Sequence, residues 1–305
     1  MSPDLKKKIE FTKYYTKLNI FSLILILLSV FFLIFKGLNL GVDFKGGTLI
    51  ELRVENSSVK ISDIRSSLLQ KNLGDVTVKK FGKQNDYLVK IEIMNFQKDY
   101  IEKLKQDLSS DLGSELNFRR VENVGPKVSN ELLRSGLLAI LLSLTCMLIY
   151  IWIRFEWQFS LSAIAALVHD VLITLGIFSL LSYEINLSIV AAVLTIVGYS
   201  MNDTVVIFDR LRENLKKYEK IKISEISNIS TNETLSRTLI TSVTTLLALF
   251  AIFFFGGAIL KGFSLAMIVG VIIGTYSSIF VATPILNYLR VNQKTILKND
   301  DKEIN

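Results

Sequence analysis

Residues 135–153 read SGLLAILLSLTCMLIYIWI, a run without a charged side chain that is bounded by Arg134 and Arg154. At about 1.5 Å per residue, a helix of this length crosses about 30 Å of hydrocarbon, so the run predicts a membrane span. Five other runs of similar character predict further spans, at residues 18–36 and at about 157–182, 185–208, 236–257 and 262–289. The first run is long for a cleaved signal peptide and is followed by no small-x-small site, so we expect a retained anchor.

The composition agrees with a membrane protein. Of the 305 residues, 50% are hydrophobic and 21% are charged, and the mean hydropathy is +0.43. These values exclude a disordered chain and disfavour a cytosolic enzyme. The net charge of +7 requires no nucleic acid partner, because an excess of Lys and Arg is expected at the cytoplasmic face of a membrane protein. The one cysteine, Cys146, cannot form an intrachain disulfide, and we expect it to be a small buried hydrophobic residue.

Basic residues divide the short connecting segments into two classes. The segments before span one, between spans two and three, between spans four and five, and after span six carry nearly all of the Lys and Arg outside the long loop. The short segments on the other side contain only Lys261. The positive-inside rule therefore places both termini, residues 1–17 and 291–305, in the cytoplasm. Trp152 and Trp157 are typical of an aromatic belt at that face.

Residues 37–132 connect spans one and two and would form a domain outside the cytoplasm. Alternating and helical spacings predict a strand at 48–55, a helix at 61–72, strands at 76–81 and 87–94, a helix at 97–112 and a strand near 115–121. The string GKQND at 82–86 has the composition of a hairpin turn. The order βαββαβ is that of the ferredoxin-like fold. The predicted fold class is thus a polytopic α-helical membrane protein with six transmembrane helices, helices 2 to 6 lying within 133–290, and one extracytoplasmic α+β ferredoxin-like domain between helices 1 and 2.

No group of residues in the sequence resembles a catalytic centre. The charges of the outer domain are scattered and nearly balanced, and no nucleotide-binding loop of the Walker type occurs. The single histidine, His169, would need several carboxylates from other helices to hold a metal ion. We therefore expect a protein that is not an enzyme and that binds no metal and no cofactor.

Two charged residues stand in apolar spans, where an ionisable side chain costs at least about 2.5 to 3.5 kcal/mol at the helix centre. Asp203 lies in the polar stretch 200–204 of span four, and Arg237 opens span five from the same side of the membrane. Capping residues at 232–234 predict that this helix begins a turn before Arg237. We expect Asp203 and Arg237 to pair, so that protonation of the carboxylate would release the arginine. The alternative is that Arg237 snorkels to the interface and Asp203 satisfies a helix contact.

Further polar and small residues occur inside the spans. His169, Asp170 and Asn202 are either part of a proton path or structural hydrogen-bonding groups. Because neighbours on a helix are about 100° apart, we expect His169 and Asp170 to point in different directions. Gly270 and Gly274 form a GxxxG step in span six, which indicates close helix packing rather than phosphate binding.

Four strings of residues resemble the SecD/SecF family of bacterial protein-export membrane proteins, a branch of the RND superfamily. They are GVDFKGG (41–47), VGPKV (124–128), ALVHDV (166–171) and GYSMNDT (198–204), the last continuing to DRLREN (209–214). The string SRTLITS (236–242) matches as well. The likeness covers nearly the whole chain, and six spans with one large outer loop between the first two is also the family plan.

The resemblance to SecF-type subunits implies a function that composition does not. It implies pairing with SecD, association with the SecYEG channel and YajC/YidC-type accessory proteins, and use of the proton motive force to promote preprotein translocation across the bacterial inner membrane. It also implies that Asp203 and Arg237 transfer protons, with H⁺ or alternatively Na⁺ as the coupling ion. The family motif after helix 1 corresponds to Gly41, Asp43, Gly46 and Gly47.

Two other functions fit parts of the pattern. Half of an RND-type small-molecule or lipid exporter would share the spans, but such exporters usually carry larger outer domains and about twelve spans on one chain. A purely structural assembly subunit would need no titrating group. One outer domain and six spans favour a partner-dependent half of an export complex.

Overall fold

Long apolar helices make up most of the protein. The computed structural model describes residues 9–55, 59–71, 73–80, 85–92, 98–218, 221–293 and 295–296. Within these ranges, six helices are long and apolar enough to cross a membrane: Phe11–Phe35, Pro126–Arg154, Trp157–Leu180, Leu187–Lys217, Ile223–Phe255 and Leu260–Tyr288. The predicted fold class, with an α+β domain between the first two spans, is confirmed.

The helices and strands are numbered along the chain. The helices are α1 (Tyr15–Phe35, after a 3₁₀ turn at Phe11–Tyr14), α2 (Val42–Lys45), α3 (Ile61–Leu69), α4 (Lys98–Leu112), α5 (Pro126–Arg154), α6 (Trp157–Leu180), α7 (Leu187–Lys217), α8 (Ile223–Phe255), α9 (Gly257–Ser277) and α10 (Thr283–Tyr288). The strands are β1 (Asn39–Leu40), β2 (Gly47–Val54), β3 (Val76–Lys80), β4 (Asp86–Ile91), β5 (Leu116–Val124) and β6 (Glu184–Ile185). Helices α1 and α5 to α10 therefore carry the spans, with α9 and α10 together in the sixth, and β2 to β5 with α3 and α4 form the outer domain.

Helices α6, α7 and α9 form the centre of the bundle, and α1, α5 and α8 lie around them. Phe159 and Phe178 on α6 and Phe208 on α7 are fully buried. On the outer helices, Leu137 of α5 is 62% exposed and Phe254 of α8 is 67% exposed. A continuous apolar exterior of this kind is stable only against lipid or another protein. Two carboxylates buried inside the described spans, Asp170 and Asp203, lie on the central helices α6 and α7.

The outer domain is a four-stranded antiparallel sheet in the order β3–β4–β2–β5. Ile50 of β2 pairs with Val89 of β4 on one side and with Val121 of β5 on the other. Because side chains alternate along a strand, Ile50 and Val89 pack under α3 and α4 with Ile64 and Leu108, all of them fully buried. Residues 82–84 of the predicted GKQND turn and residues 93–97 lie outside the described residues. The opposite face of the sheet is left open towards the membrane bundle.

Helix α8 begins at Ile223, well before residues 232–234, where the sequence predicts its start. Asn232 caps no helix: its side chain accepts the Ile9 N–H at 2.9 Å and donates to the Ile9 carbonyl at 2.8 Å. Asn228 accepts the Thr12 N–H at 3.0 Å. The polar residues of this segment thus dock the beginning of the chain against α8, and the helix continues through them.

Span six changes its hydrogen bonding before Pro284. Residues Ser278–Ala282 form a π-helical turn between α9 and α10, because proline lacks an N–H and its ring would clash with the carbonyl four residues earlier. Thr283 Oγ1 donates to the Ser278 carbonyl at 2.9 Å, and Ser162 of α6 donates to the carbonyl of Ala282. The turn places Ser277 and Ser278 in the fully buried interior of the bundle.

Candidate functional site

The candidate site surrounds the carboxylate of Asp203, which lies in the middle of α7 and is only 3% exposed. Ser242 and Arg237 of α8 are the polar groups that act on it. The Ser242 hydroxyl is also within 2.7 Å of Thr275 Oγ1 on α9. The oxygen Oδ2 of Asp203 has no hydrogen-bond partner within the described part of the chain. Because a buried carboxylate oxygen without a donor is costly, the site favours the binding of a proton or a small cation.

Arg237 lies near Asp203 but does not form the ion pair that the sequence suggests. Its charge acts on Asp203 across space, yet no hydrogen bond or ion pair joins these two described side chains. Arg237 is exposed, as are Ser236 and Leu239 beside it on α8. Asp203 points into the bundle, whereas Arg237 lies on the outer face of α8, so their side chains approach without touching.

Asn202 does not join the buried cluster. It is exposed on α7, while Asp203 and Thr204 are 3% and 2% exposed. Since an α-helix turns by about 100° per residue, the residue before an inward-facing carboxylate is directed away from the interior. Of the polar stretch 200–204, Ser200, Asp203 and Thr204 face inwards with the spacing i, i+3 and i+4.

His169 and Asp170 meet, although their positions on adjacent residues suggest that they diverge. His169 Nδ1 lies 2.9 Å from Asp170 Oδ1, and the two residues are 1% and 0% exposed. Asp170 Oδ2 accepts hydrogen bonds from Ser200 Oγ of α7 at 2.6 Å and from Ser277 Oγ of α9 at 2.8 Å. The side chains of neighbours can rotate towards each other even when their Cα–Cβ bonds diverge. One carboxylate thus joins α6, α7 and α9.

The glycines of span six let α9 approach α7 closely. A Cβ on Gly270 would come within 2.3 Å of Ile196 Cγ1, and a Cβ on Gly274 within 2.9 Å of Ser200 Cβ. Close approach of backbones at small residues is a common mode of helix packing in membranes. One turn below Ser200, Thr204 Oγ1 lies 3.0 Å from Ser278 Oγ of the π-helical turn that follows α9. Span four and span six are therefore held together on both sides of Asp203.

The segment 41–47 makes a turn that requires glycine. Gly41 is the N-cap of the short helix α2, Gly46 ends that helix with a φ of +79°, and Gly47 begins β2 with a φ of +114°. Positive φ is unfavourable for side-chain-bearing residues. A Cβ on Gly41 would lie 2.9 Å from Glu184 Oε1, and one on Gly47 would lie 2.6 Å from the Ile91 carbonyl oxygen. The glycines thus allow the first residues of the outer domain to pack closely against the outer end of the helix bundle.

The same segment is attached to the outer end of α7. Asp43 Oδ2 accepts the N–H of Leu187, the first residue of α7, at 2.9 Å. Strand β1 pairs in parallel with β6, which precedes α7, through Asn39 and Glu184. Glu184 also forms an ion pair with Lys90 of the outer sheet at 2.8 Å. The helix that carries the buried carboxylate is therefore tied to the outer domain.

A cleft of about 450 Å³ lies between the open face of the outer sheet and the outer ends of the spans. Glu51, Lys79 and Arg120 line it from the sheet, and Asn186 and Leu187 line it from the bundle. The open face of the sheet is thus turned towards the membrane.

Ion pairs fix the inner end of α7. Asp209 accepts from Arg154 Nη2 at 2.9 Å, and Arg212 Nη2 lies 3.2 Å from Glu156 Oε1. Arg154 ends α5 and Glu156 precedes α6. The string DRLREN therefore attaches α7 to the turn between α5 and α6, and the helix is held at both ends.

Sequence reasoning missed the hydroxyl groups of the site. They are Ser242 of α8, Thr275 and Ser277 of α9, and Ser278 of the π-helical turn. Serine and threonine are common in apolar spans, because their hydroxyls can hydrogen-bond to backbone carbonyls of the preceding helical turn. In the sequence, only the cluster of hydroxyl residues at 275–278, directly after Gly274, indicates a polar helix contact. In the described ranges, no three His, Cys, Asp or Glu side chains come together as metal ligands would.

Two family models match the chain. The model for the protein export membrane protein SecD/SecF, C-terminal, matches residues 104–292, and the SecD/SecF GG motif matches residues 31–58. The first match contains α5 to α9 with Asp203 and Arg237, and the second contains the glycine turn at 41–47.

Curated relatives and solved structures resemble the chain over most of its length. The protein translocase subunit SecF of Vibrio alginolyticus is 42% identical over 298 residues, which cover 96% of this chain and 93% of the relative. The SecF subunit of Rickettsia akari is 42% identical over 282 residues, 90% of this chain and 91% of the relative. The crystal structure of SecDF, a translocon-associated membrane protein from Thermus thermophilus, is 36% identical with a TM-score of 0.84 and covers 93% of this chain. The match covers 39% of the length of that SecDF chain.

Proposed function

Because the chain belongs to the SecD/SecF family of protein-export membrane proteins, we propose that it is the SecF-type subunit of a protein translocase and uses the proton motive force to promote the translocation and release of preproteins. The observation that carries this proposal is the buried carboxylate of Asp203, whose Oδ2 lacks a donor among the described residues. A proton bound there supplies the missing donor and removes the charge from the bundle interior. Asp203 is thus the residue that takes up and gives off the coupling proton.

A few protons supply the free energy that a conformational change of the outer domain requires. Each elementary charge that crosses a membrane potential of 100 mV supplies about 2.3 kcal/mol, and a pH gradient adds to it. Moving a two-state equilibrium from 1:99 to 99:1 takes about 5.5 kcal/mol. At 100 mV, about two to three protons per cycle therefore suffice to move the outer domain between two positions, and a pH gradient lowers this number.

Helix α7 is the element that transmits the change. When Asp203 is charged, it attracts Arg237 and the Ser242 hydroxyl of α8; when it is neutral, this attraction is lost. The resulting shift of α7 against α8 reaches the outer domain through the Asp43 to Leu187 hydrogen bond and the Glu184 to Lys90 ion pair. The cleft between the sheet and the bundle provides the space in which the outer domain moves.

The exposed face around Arg237 is where we place the SecD partner. An arginine that faces lipid costs about 2.5 kcal/mol or more, and Arg237 and Asn202 are both exposed at the level of the spans. A second set of spans would cover these polar groups and complete a wet path to Asp203. The chain corresponds to 39% of the SecDF chain it resembles, which agrees with a half that needs a second half.

Further partners follow from the same role. We propose association with the SecYEG channel and with YajC/YidC-type accessory proteins, and contact of the outer domain with the emerging preprotein. The distribution of Lys and Arg supports a multi-pass orientation in the bacterial inner membrane with both termini in the cytoplasm. In this orientation, the outer domain stands on the side where the preprotein emerges.

The coupling ion is H⁺, with Na⁺ as the alternative. The carboxylate of Asp203 and the hydroxyls of Ser242 and Thr275 are all oxygen donors, the type of ligand that hard cations prefer. A proton is favoured because it needs a single acceptor, which the free Oδ2 provides. The proposed cycle requires no other cofactor and no bond-making chemistry.

Export measurements with D203N test the proposal. Membrane vesicles that contain the complete translocase export a reporter preprotein under an imposed proton gradient, and the rate is compared with and without the gradient. We expect D203N to assemble with its partners and to lose the gradient-dependent part of export. E213Q is the matched control, because Glu213 lies on the same helix in an exposed i, i+3 ion pair that contributes little.

Gradient-dependent export by D203N at the wild-type rate would refute the proposal. Replacement of the proton gradient by a sodium gradient distinguishes the two ions, since only the true coupling ion restores export. Copurification separates export from the RND exporter alternative: a SecD-type partner and the SecYEG channel support export, whereas a periplasmic adaptor would favour efflux.

A further inference from the structure

The pair His169–Asp170 has no part in the proposed proton cycle, yet it is more deeply buried than Asp203. Asp170 is 0% exposed, and both of its oxygens have polar neighbours: Oδ1 faces His169 Nδ1, and Oδ2 accepts from Ser200 and Ser277. A carboxylate in a low-dielectric interior costs several kcal/mol unless hydrogen bonds satisfy it. The contacts with His169, Ser200 and Ser277 offset that cost and fix the carboxylate of Asp170 between α6, α7 and α9.

We propose that Asp170 is a positioning residue, whose buried carboxylate fixes α7 against α6 and α9 and so sets the place of Asp203. The inference deepens the proposed function and rests on it, since it concerns how the Asp203 site is held. It assigns to Asp170 a role in the geometry of proton binding rather than in proton transfer itself.

The contacts of Asp170 lead directly to the Asp203 site. Ser200, which donates to Asp170, lies three residues before Asp203 on the same face of α7. Ser277, the other donor, is followed by Ser278, whose hydroxyl contacts Thr204 directly after Asp203. The carboxylate of Asp203 is therefore flanked along α7 by two cross-helix links. One ends on Asp170, and the other ends on the residue after Ser277, the second donor to Asp170.

The second set of ligands depends on the same register. Thr275 stands two residues before Ser277 on α9 and is hydrogen-bonded to Ser242, one of the groups that act on Asp203. If the links to Asp170 are removed, α9 is held less firmly against α7, and a shift of α9 would carry Thr275 with it. Ser242 then loses the hydrogen bond that holds it in place beside Asp203.

The hydrogen bonding distinguishes a positioning group from a second proton carrier. Both oxygens of Asp170 are satisfied by described residues, whereas Oδ2 of Asp203 is not. An asparagine at position 170 would keep the acceptor for the two serines and offer an N–H to the histidine in its other tautomer. In the described structure, the titratable groups beside this site are His169, with Tyr276 stacked on its ring, and Arg237 beside Asp203.

Serine variants test the inference in the complete translocase with an imposed proton gradient. The double variant S200A/S277A removes both hydrogen bonds to Asp170 and leaves the carboxylate in place. Each buried hydrogen bond corresponds to about a two- to tenfold effect, so we expect gradient-dependent export to fall by about fivefold or more. We also expect the pH of half-maximal export to shift, because the surroundings of Asp203 change. The amount of assembled complex is measured in parallel.

A matched control and a conservative rescue complete the experiment. Ser264 is a fully buried serine of α9 whose hydrogen-bond partners among the described residues are carbonyls of its own helix, so S264A should stay within about twofold of wild type with an unchanged pH profile. D170A should lose export as the double variant does, and D170N should restore it. If S200A/S277A fails to assemble, the single variants S200A and S277A give the same comparison.

The outcomes separate this inference from the proposed function. Wild-type export and pH profile in an assembled S200A/S277A complex would overturn the positioning role. Loss of export in D170N equal to that in D203N would also overturn it, since Asp170 would then carry a proton itself. Normal gradient-dependent export by D203N, measured alongside, would instead refute the proposed function.

Discussion

Replacement of Gly176 by alanine tests the packing of α1 against the bundle. Gly176 lies on α6 where Ser29 of α1 crosses it, and an added Cβ would come within 2.4 Å of the Ser29 Cβ and Oγ and 2.6 Å of its Cα. Carbon atoms in ordinary contact are about 3.5 to 4 Å apart. Helix α1 would therefore have to move away by about 1 Å at this point, because a backbone atom cannot rotate aside.

The displacement of α1 would destabilise the protein, because it strains the contacts on either side of Ser29. Ser179 donates to the Phe32 carbonyl at 2.9 Å, and Ser22 is within 2.8 Å of Tyr276 Oη, so a displaced α1 stretches hydrogen bonds above and below. Overpacking of this kind costs about 1 to 3 kcal/mol, and a lost hydrogen bond adds about 0.5 to 1.5 kcal/mol. The better helix propensity of alanine returns up to about 1 kcal/mol. We expect G176A to lower the free energy of unfolding by about 1 to 3 kcal/mol.

Denaturant unfolding of the purified full-length chain in detergent, followed by circular dichroism, measures this effect. Gly198 of α7 is the matched control, since an added Cβ there would meet no atom within 4 Å. G198A should keep wild-type stability or gain up to about 1 kcal/mol. Equal stability of G176A and G198A would refute the close approach of α1 and α6.

Three further substitutions probe the outer part of the protein. D43A removes the acceptor of the Leu187 N–H and should lower the free energy of unfolding by about 1 kcal/mol in the same denaturation assay, while pull-down of the partner subunits stays unchanged. G47A places a Cβ 2.6 Å from a carbonyl oxygen at a φ of +114° and should speed proteolysis of the outer domain. The pKa of Asp111 lies below its usual range, mainly because Ser67 donates a hydrogen bond to the carboxylate and secondly because Lys71 does so. A carboxyl group whose pKa is lowered in the folded protein adds stability above about pH 4, and this stability is lost as the pH falls. S67A should therefore be less stable than wild type at about pH 7, and the difference in the free energy of unfolding should close near about pH 3. Denaturant titrations at both pH values measure this difference.

The helices and the outer domain could be predicted because their signals are strong and local. A run of nineteen uncharged residues at 135–153 is typical of a membrane span, and the alternation of apolar and charged residues at 50–55 is typical of a strand with one buried face. The same signals identify Asp203 as an exception within an apolar run. Element type therefore followed from composition and period alone.

The contacts between helices could not be predicted, since hydropathy does not say which face of a span meets protein. Cys146, expected to be buried, is exposed on the outside of α5, because an apolar side chain in a membrane can face lipid. Gly176 gives the closest approach to α1, although it belongs to no GxxxG step. Arg237 lies on the outer face of α8, and Asp170 binds serines that are 30 and 107 residues away in sequence. These pairings depend on the rotation of each helix about its axis.

A distance across the cleft tests most directly the claim that proton binding at Asp203 moves the outer domain. Lys80 and Ser188 line opposite walls of the cleft and are exposed, so K80C/S188C accepts spin labels once the exposed Cys146 is replaced in C146S. The labelled complex in liposomes is measured with and without an outside-acid pH gradient. We predict that the distance between the labels changes with the gradient when Asp203 is present and stays constant in D203N. The same gradient-dependent change in D203N would contradict the account.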